Sequence, residues 1–571
     1  MTMASTAPPG LAPSMSQSAL TPRSFIAGSL LAVFLCGVNS YLTLSFGVIE
    51  EGPTIAALFF FAMFFLSRTR ITSTELVIVA TMGSAGGSLG FITNFYAAKA
   101  MIGTPYTFWE MAGFATVTSL VGIMFVVPLR ELLVVRENLP WPSSKATAGV
   151  ITALSEGGDR KQPVYLLISL LIAMAYVLLN DDGGFALVPE STALPLFGLA
   201  AYGAAIAWSP FAIGGAYLMG FRTCVGFLFG GIALLIMAPH TPVPAAPHRY
   251  VWPGIAFLVA SGLAVMAINW RVIAASMRSL FSSRTKDAVD QDPVLSPRLF
   301  IWMTAAALAI AIAFLMGAMG LGLLLIIMLV VVGAFVQNVI ATRAAAQTAF
   351  NPARVMGVLL EGLSAMMGAS AASTSLTGAG FVAGSGAQAG NLTGDMVYGR
   401  WFKVPSRWQF WTQFTTLIPC ALVSAWVFSQ INANTPITSI EGTDMPAPVA
   451  KMWAASALVF DPSAGSGLPP GAITAMLIAA VAGIVWVLLE ASPKLERLLP
   501  SSIGFGLGLV LPVAYDFAFF LGGFVLWVIL GRGLKVRDIT LTTIAVGCIV
   551  AEGLGGVLKP VLQVVGVIPG G

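Results

Sequence analysis

Four carboxylates stand inside otherwise apolar stretches: Glu110, Asp395, Asp516 and Glu552. Ionisable residues at membrane depth are rare and are functional candidates by default. A buried carboxyl group can take up and release a coupling proton, which makes these four the candidate proton-coupling residues. Asp395, Asp516 and Glu552 rank first because small or apolar residues enclose them, whereas Glu110 opens a span. Snorkelling from a helix end to the interface is the bland alternative for any of them. Lys99 and Lys145 are the cations suited to hold an anionic end of a substrate.

Two stretches have the composition to line a binding site. In Asn138–Gly149, Pro140 and Pro142 remove backbone donors and interrupt a regular helix. Trp141 lies between them, and Ser143, Ser144, Lys145 and Thr147 would form the opening turn of a new helix, whose free N–H groups suit a carboxylate. Irregular backbone at membrane depth survives only against protein or a water-filled cavity. The bland reading is an interfacial loop followed by an N-capped helix. The second stretch, Gly378–Asp395, has glycines at 378, 380, 384, 386, 390 and 394. Such spacing lets helices approach closely, but that does not explain Gln388, Asn391 and Asp395 in the same run. The expectation is a helix, a break and a second helix facing a cavity. Tyr398, Gln413 and Tyr515 complete the candidate substrate-binding set.

Other chemistries find little support. Cys36, Cys224, Cys420 and Cys548 are scattered through apolar sequence without CxxC spacing and read as small buried hydrophobes. The two histidines, His240 and His248, sit in a Pro-rich loop. No metal site, no cofactor and no catalytic residue is expected. Gly83, Gly86 and Gly87, like Gly506 and Gly508, lack the strand and GK[ST] context of a phosphate loop. Ser144 and Lys145 are adjacent, so they point to different helix faces and make a poor catalytic dyad.

The composition sets the solvent in which these residues work. Of 571 residues, 57% are hydrophobic and 9% charged, with a mean hydropathy of +0.89. A soluble globular protein carries about 25% charged residues, so a bilayer is the natural surroundings. Apolar runs of spanning length lie at about 25–47, 53–66, 74–101, 107–128, 163–179, 194–208, 211–238, 251–270, 299–317, 320–340, 408–430, 471–490, 507–530 and 538–557. The fold class expected is all-α, a polytopic integral membrane protein of about 14–16 transmembrane helices with broken or re-entrant segments. Residues 1–24 read as a disordered cytoplasmic tail and 271–297 as a cytoplasmic linker. The linker separates an N-terminal half, 25–270, from a C-terminal half, 298–571, which includes an external loop at 431–469 with a short amphipathic piece. Arg23, Arg130, Lys161, Arg400, Arg407, Lys494, Arg532 and Arg537 fall in loops that the positive-inside rule assigns to the cytoplasm. Two halves, each with one anomalous stretch, fit a transporter built from structural repeats. The sequence leaves open whether those repeats are parallel or inverted.

The segment Gly399–Gln413 resembles the KIPPR-type segment of the oligopeptide transporter (OPT) superfamily, with Lys403, Pro405, Arg407 and Gln413 matching and Val404 and Ser406 departing. Leu139–Ala148 is similar to the YPSGTATA/YPEGTA stretch of its yellow stripe-like and bacterial branches. Ile503–Pro512 looks like the late Gly-rich span, and Glu552–Gly556 like the final one. The NPG-type motif of eukaryotic members is absent, with Val38–Thr43 in that neighbourhood. The resemblance covers about 25–560 and implies some 16 helices, including short or broken ones, and a proton-coupled symporter. The cargo it implies is oligopeptides or peptide-like compounds, or alternatively metal chelates such as siderophore or nicotianamine-like complexes. A passive channel is the alternative from another class. The expected setting is the cell inner membrane with a cytoplasmic N-terminus. The expected partners are the lipid bilayer and a small peptide-like substrate, without nucleic acid; a homodimer is compatible with this reading.

Overall fold

The structure, a computed structural model, describes residues 20–567 apart from 47–51, 66–70, 137–138, 140, 156–160, 182–183, 196–197, 238–239, 241–250, 269, 272–291, 349–356, 359, 362–363, 365–370, 441–444, 462–470, 493, 496–497 and 565–566. The expected tail and nearly all of the linker lie outside the described residues. The first half holds α1 (Pro22–Phe46), α2 (Gly52–Phe65), α3 (Ser73–Phe91), α4 (Thr93–Met101), α5 (Phe108–Leu129), α6 (Pro142–Ser155) and α7 (Gln162–Leu179). A two-stranded antiparallel hairpin, β1 (Ser191–Ala193) and β2 (Ala205–Ala207), pairs Thr192 with Ile206. After it come α8 (Pro210–Met219), α9 (Phe221–Met237) and α10 (Val251–Ile268).

The second half holds α11 (Pro297–Gly317), α12 (Leu323–Ile327, continued as a wider π-turn to Ala334), α13 (Phe335–Thr348), α14 (Ala372–Trp401), α15 (Ser406–Asn434) and α16 (Pro448–Val459). It closes with α17 (Ala472–Glu490), α18 (Ser502–Gly508), α19 (Val513–Gly523, continued as a π-turn to Gly533) and α20 (Asp538–Val564). Eight of the described helical stretches are long and apolar enough to cross a bilayer, and five shorter apolar helices accompany them. The molecule is an all-α polytopic membrane protein.

The two halves make the same contacts with their roles exchanged. Helix α5 packs on α14 and α15 on α3; α7 packs on α20 and α17 on α10; α9 packs on α18 and α19 on α8. Such reciprocity defines a pseudo-two-fold axis relating α1–α10 to α12–α20. The partner of α2 falls in 349–371, most of which lies outside the described residues, and α11 has no counterpart. The axis lies in the membrane plane, because paired helices run in opposite directions. Along α3–α4, Thr81 lies by Asp395 through Gln409, Ser88 bonds Asn391, and Lys99 at the end of α4 meets Ser373 at the start of α14. The repeats are therefore inverted.

Five local expectations change. The run at 194–208 is no span but the hairpin, with a single 3-10 turn at Leu199–Tyr202. Its chain is punctuated by Gly198 and Gly203, both at positive φ. The run at 211–238 is two helices that reverse at Gly220, whose φ of +84° suits only a residue without Cβ. The run at 507–530 is likewise a hairpin: α18 runs parallel to α9 and α19 antiparallel to it, with the turn at 509–512. Losing one span and doubling another leaves the loop assignment of the first half unchanged. The α18–α19 reversal puts both basic loops of the last third at one end. There Arg222 donates to the Leu499 carbonyl (3.0 Å) and Tyr217 to Asp538 (3.3 Å).

The expected break within 378–398 is absent: α14 is one helix of 30 residues. No proline interrupts it, and its glycines are used for contact. A Cβ at Gly384 would lie 2.6 Å from Thr118 Cγ2. Finally, 431–469 is not simply a loop. Helix α15 extends to Asn434, and α16 is buried, with Trp453 edge-on to Phe95 at 4.4 Å.

Candidate substrate site

Where the two inverted helix pairs α3/α5 and α14/α15 meet, the packing is polar. Gln388 Nε2 donates to Gln413 Oε1 (2.8 Å), and Gln413 Nε2 reaches both the Thr81 carbonyl (3.1 Å) and Asp395 Oδ2 (3.2 Å). Gln409, one helical turn before Gln413, donates to Thr81 Oγ1 (2.9 Å) and to the Asp395 carbonyl (2.8 Å). Asn391 Nδ2 donates to Ser88 Oγ (2.7 Å). Gln388, Gln409 and Gln413 are fully buried and Asp395 nearly so. Among the described residues, Gln388 Oε1 and Gln409 Oε1 accept no hydrogen bond. Buried acceptors of this kind are costly unless something donates to them.

Helix α6 closes one end of this seam. Trp141, in the left-handed region at φ +44°, donates its backbone N–H to the Ala346 carbonyl (2.7 Å). A bulky residue held there marks a position that the surroundings over-determine. Ser144 Oγ donates to the Gly394 carbonyl (2.8 Å), next to Asp395, and Thr147 is buried on the same face. Ser143 and Lys145 are exposed on the other face of α6. The Pro-broken stretch and the Gly-rich stretch thus meet through Trp141 and Ser144. Tyr398 is buried one turn beyond Asp395. Lys403, at φ +60°, and Pro405 form the tight turn that sets α15 against α14, and Arg407 lies over the Trp408 ring at 5.2 Å.

Lys99 belongs to a second polar cluster, at the other end of α3/α4 and α14. Its ammonium donates to the Ser373 hydroxyl and carbonyl and lies 4.9 Å from the Tyr106 ring centre. Tyr106 shares a hydrogen bond with Thr377 (2.8 Å), and Asn94 donates to Thr43 (2.8 Å). The pseudo-two-fold axis relates this cluster to the glutamine seam.

Of the remaining carboxylates, Glu110 stands near the Lys99–Tyr106 cluster, while Glu552 and Asp516 lie apart from both. Glu110 is committed to the start of α5: it accepts the Thr107 N–H (2.7 Å) while Thr107 Oγ1 accepts the Glu110 N–H (3.3 Å), a capping box. Glu552 accepts from Ser209 Oγ (2.9 Å) and the Phe211 N–H (3.0 Å). It shares a small enclosed cavity with Tyr41, Tyr176, Asn180, Glu190 and Lys559. Tyr515 donates to Glu190 (2.8 Å) and Lys559 to Asn180 (2.8 Å) at the same end. Asp516 is wholly buried between α9 and α18.

Sequence reasoning missed Thr81, Gln409, Glu190, Ser209 and Lys559. Gln409 had a signal, since it precedes Gln413 by four residues and so shares its helix face. Thr81 had none, because a lone threonine in an apolar span is ordinary.

An inverted repeat of membrane helices with a polar seam at its centre is an architecture found in many membrane transporters. The chain belongs to the OPT oligopeptide transporter family, whose pattern it matches over residues 19–562. Members of that family are transporters, not enzymes. Among similar proteins, one of Haemophilus influenzae named as an oligopeptide transporter is 27% identical over 212 residues, 36% of this chain and 32% of that one. One of Saccharomyces cerevisiae, also named as an oligopeptide transporter, is 29% identical over 158 residues, 24% of this chain and 22% of that one. One of rice named as a metal-nicotianamine transporter is 27% identical over 252 residues, 37% of this chain and 34% of that one. These matches span about a third or less of the relatives' lengths.

Proposed function

We propose that this OPT-family transporter is a proton-coupled symporter that imports oligopeptides or peptide-like compounds across the cytoplasmic membrane. The observation that carries the substrate class is the pair of unpaired amide oxygens, Gln388 Oε1 and Gln409 Oε1, beside Asp395 in the seam. Acceptors and one carboxylate suit a ligand rich in N–H donors, such as an α-ammonium group followed by peptide amides. Trp141 and Tyr398 flank them, and Lys99, at the symmetric end, is the cation suited to a carboxyl terminus. The inverted repeat supplies the alternating access, with the seam exposed first to one end and then to the other.

Coupling runs through buried carboxylates among Asp395, Asp516 and Glu552, Glu110 being engaged as a cap. The N-terminus lies on the cytoplasmic side under the loop-charge rule. Lipid covers the apolar faces exposed on α7, α11 and α17 that a second copy does not. A metal-chelate cargo is the second reading, favoured by the likeness to the rice protein named as a metal-nicotianamine transporter.

The purified full-length protein in proteoliposomes tests this. Labelled trialanine accumulates above equilibrium when an inward pH gradient is imposed, and unlabelled peptides compete with it. Accumulation that ignores the gradient would sink the coupling. Competition by ferric or nickel chelates but not by peptides would select the second reading.

A further inference from the structure

Of the buried carboxylates, only Asp516 has neither oxygen in a hydrogen bond among the described residues, and its exposure is zero. Asp395 is bonded to Gln413, Glu552 takes two donors and Glu361 takes Ser456. Asp516 is held instead in a cradle of two glycines. A Cβ at Gly231 would lie 2.9 Å from Asp516 Oδ2, and one at Gly508 would lie 3.3 Å from Oδ1.

Among the described residues, the elements packed around α19 turn no counter-charge toward Asp516, and Arg532 lies more than four turns away on the π-turn continuation of α19. Helix α18 and strand β2 contain no titratable side chain, and the one on α8, Tyr217, bonds Asp538. On α9, Arg222 is engaged with Glu490 and the Leu499 carbonyl, and Cys224 packs on Gly523. The neighbouring Tyr515 is turned to Glu190. A carboxylate needs donors or a counter-ion when it leaves water, and the neutral acid needs far less. The neutral acid fits this surrounding and the carboxylate does not.

Symmetry makes the position more telling. The broken pairs α8–α9 and α18–α19 superpose Ser209 on Ser501, Phe227 on Phe519 and Gly231 on Gly523, and the same register sets Cys224 on Asp516. Asp516 rests on Gly231, while its mate Cys224 rests on Gly523, the mate of that glycine. Half of the cradle is therefore repeated: Gly231 has its mate in Gly523, whereas Gly508 has Ala216, so the carboxyl lies between two glycines and the thiol between one glycine and an alanine.

We propose that Asp516 is the group that carries the coupling proton, and that its protonation locks the α9–α18–α19 interface shut. The step is a simple exchange: Asp516 takes one proton from water at one end and gives it to water at the other. With the proton gone, the carboxylate cannot remain between Gly231 and Gly508, so the α18–α19 hairpin must open to water. Reprotonation lets it close. This deepens the symport reading, on which its transport arm rests, by naming the carrier and the moving part.

The test has two arms. Infrared difference spectra of the full-length protein in liposomes, titrated over pH, report a buried protonated carboxyl by its C=O band. That band should be lost in Asp516→Asn and kept in Asp395→Asn. Absence of any such band in the wild type, or a spectrum unchanged in Asp516→Asn once the Glu361 and Glu552 components are assigned with Glu361→Gln and Glu552→Gln, overturns the proposal whatever the substrate is. In transport, a one-unit pH gradient sustains about tenfold accumulation at one proton per substrate. Asp516→Asn, shown folded by size exclusion and thermal melting, should lose that accumulation. Tenfold accumulation retained by the variant overturns the assignment. No accumulation by the wild type would instead overturn the symport reading, and the infrared arm would still decide Asp516.

Discussion

Phe227 stacks on Phe519 with ring centres 4.4 Å apart and planes 15° from parallel, and each ring is the other's symmetry mate. The contact lies on the axis that relates the two broken helix pairs, α8–α9 and α18–α19. Each pair reverses direction within the protein, and the last turns of one lie against the first turns of the other. The glycines on either side of the two rings set how close those backbones come.

Those glycines give the first prediction. A Cβ at Gly522 would lie 2.5 Å from Ile213 Cα, and one at its mate Gly230 would lie 2.6 Å from the Phe505 carbonyl oxygen. The obstacle is backbone in both cases, so neither site can yield. Gly522→Ala and Gly230→Ala should each destabilise by about 1–3 kcal/mol, read as a lower melting temperature in detergent. Gly149→Ala is the control: nothing lies within 4 Å of the new methyl. Relief of a mid-helix glycine there should stabilise α6 by up to about 1 kcal/mol. Equal effects at all three sites would refute the interlocked packing.

Gln413 is the joint of the polar seam, since its one amide serves Gln388, Thr81 and Asp395 together. Gln413→Ala leaves the Gln388 amide and the Asp395 carboxylate without that partner, a cost of about 1–3 kcal/mol per buried group. The variant should melt earlier and also raise the KM for labelled trialanine. Gln413→Glu, which keeps the acceptor but sets a second carboxyl against Asp395, should impair uptake more at high pH than at low pH. A melting change with no change in KM would make the seam purely structural.

Glu110 and Asp516 were both sequence candidates for proton coupling, Asp516 ranked ahead, and the structure separates them further. The Glu110 carboxylate accepts the Thr107 N–H at the start of α5. Thr107→Ala should therefore cost about 1 kcal/mol of stability, and Glu110→Gln, which keeps an accepting oxygen, considerably less. Neither should move the pH profile of uptake. A shifted profile in Glu110→Gln would return Glu110 to the coupling path.

The legible part of this fold was whatever depends on amounts. Scarcity of charge and the apolar runs give an all-α membrane protein, because only helices satisfy every backbone group in lipid without a closed barrel. Direction within a run was not legible. A chain that turns back at Gly220 or at 509–512 has the same composition as one that goes straight across, so 211–238 and 507–530 read as single spans. Glycine in 378–398 misled for a related reason: the residue that permits a break also permits contact, and only the neighbours Thr118 and Phe95 decide between them. One trace of the repeat did exist in the sequence, Phe227-x-x-Gly230-Gly231 against Phe519-x-x-Gly522-Gly523. It is too short to stand out without the fold.

Reversal at 509–512 also has a consequence for sidedness. Lys494 follows α17 and Lys535 precedes α20, and both are exposed. A single crossing between them would put them on opposite faces of the membrane, whereas the α18–α19 hairpin puts them on the same face. Leu187, on the segment that caps the other end, belongs to the opposite face and is 72% exposed. Cys36, Cys224 and Cys420 are buried and Cys548 is only partly accessible, so a Cys548→Ser background should be nearly silent to a membrane-impermeant maleimide. In that background Lys494→Cys and Lys535→Cys should label together from the cytoplasmic side of inverted vesicles, with Leu187→Cys labelling only from the outside of intact cells. Labelling of Lys494→Cys and Lys535→Cys from opposite sides would turn the hairpin back into a span. The reciprocal pairing of Gly231 with Asp516 and Gly523 with Cys224 would then have to be abandoned with it, because both contacts need α19 to run antiparallel to α9.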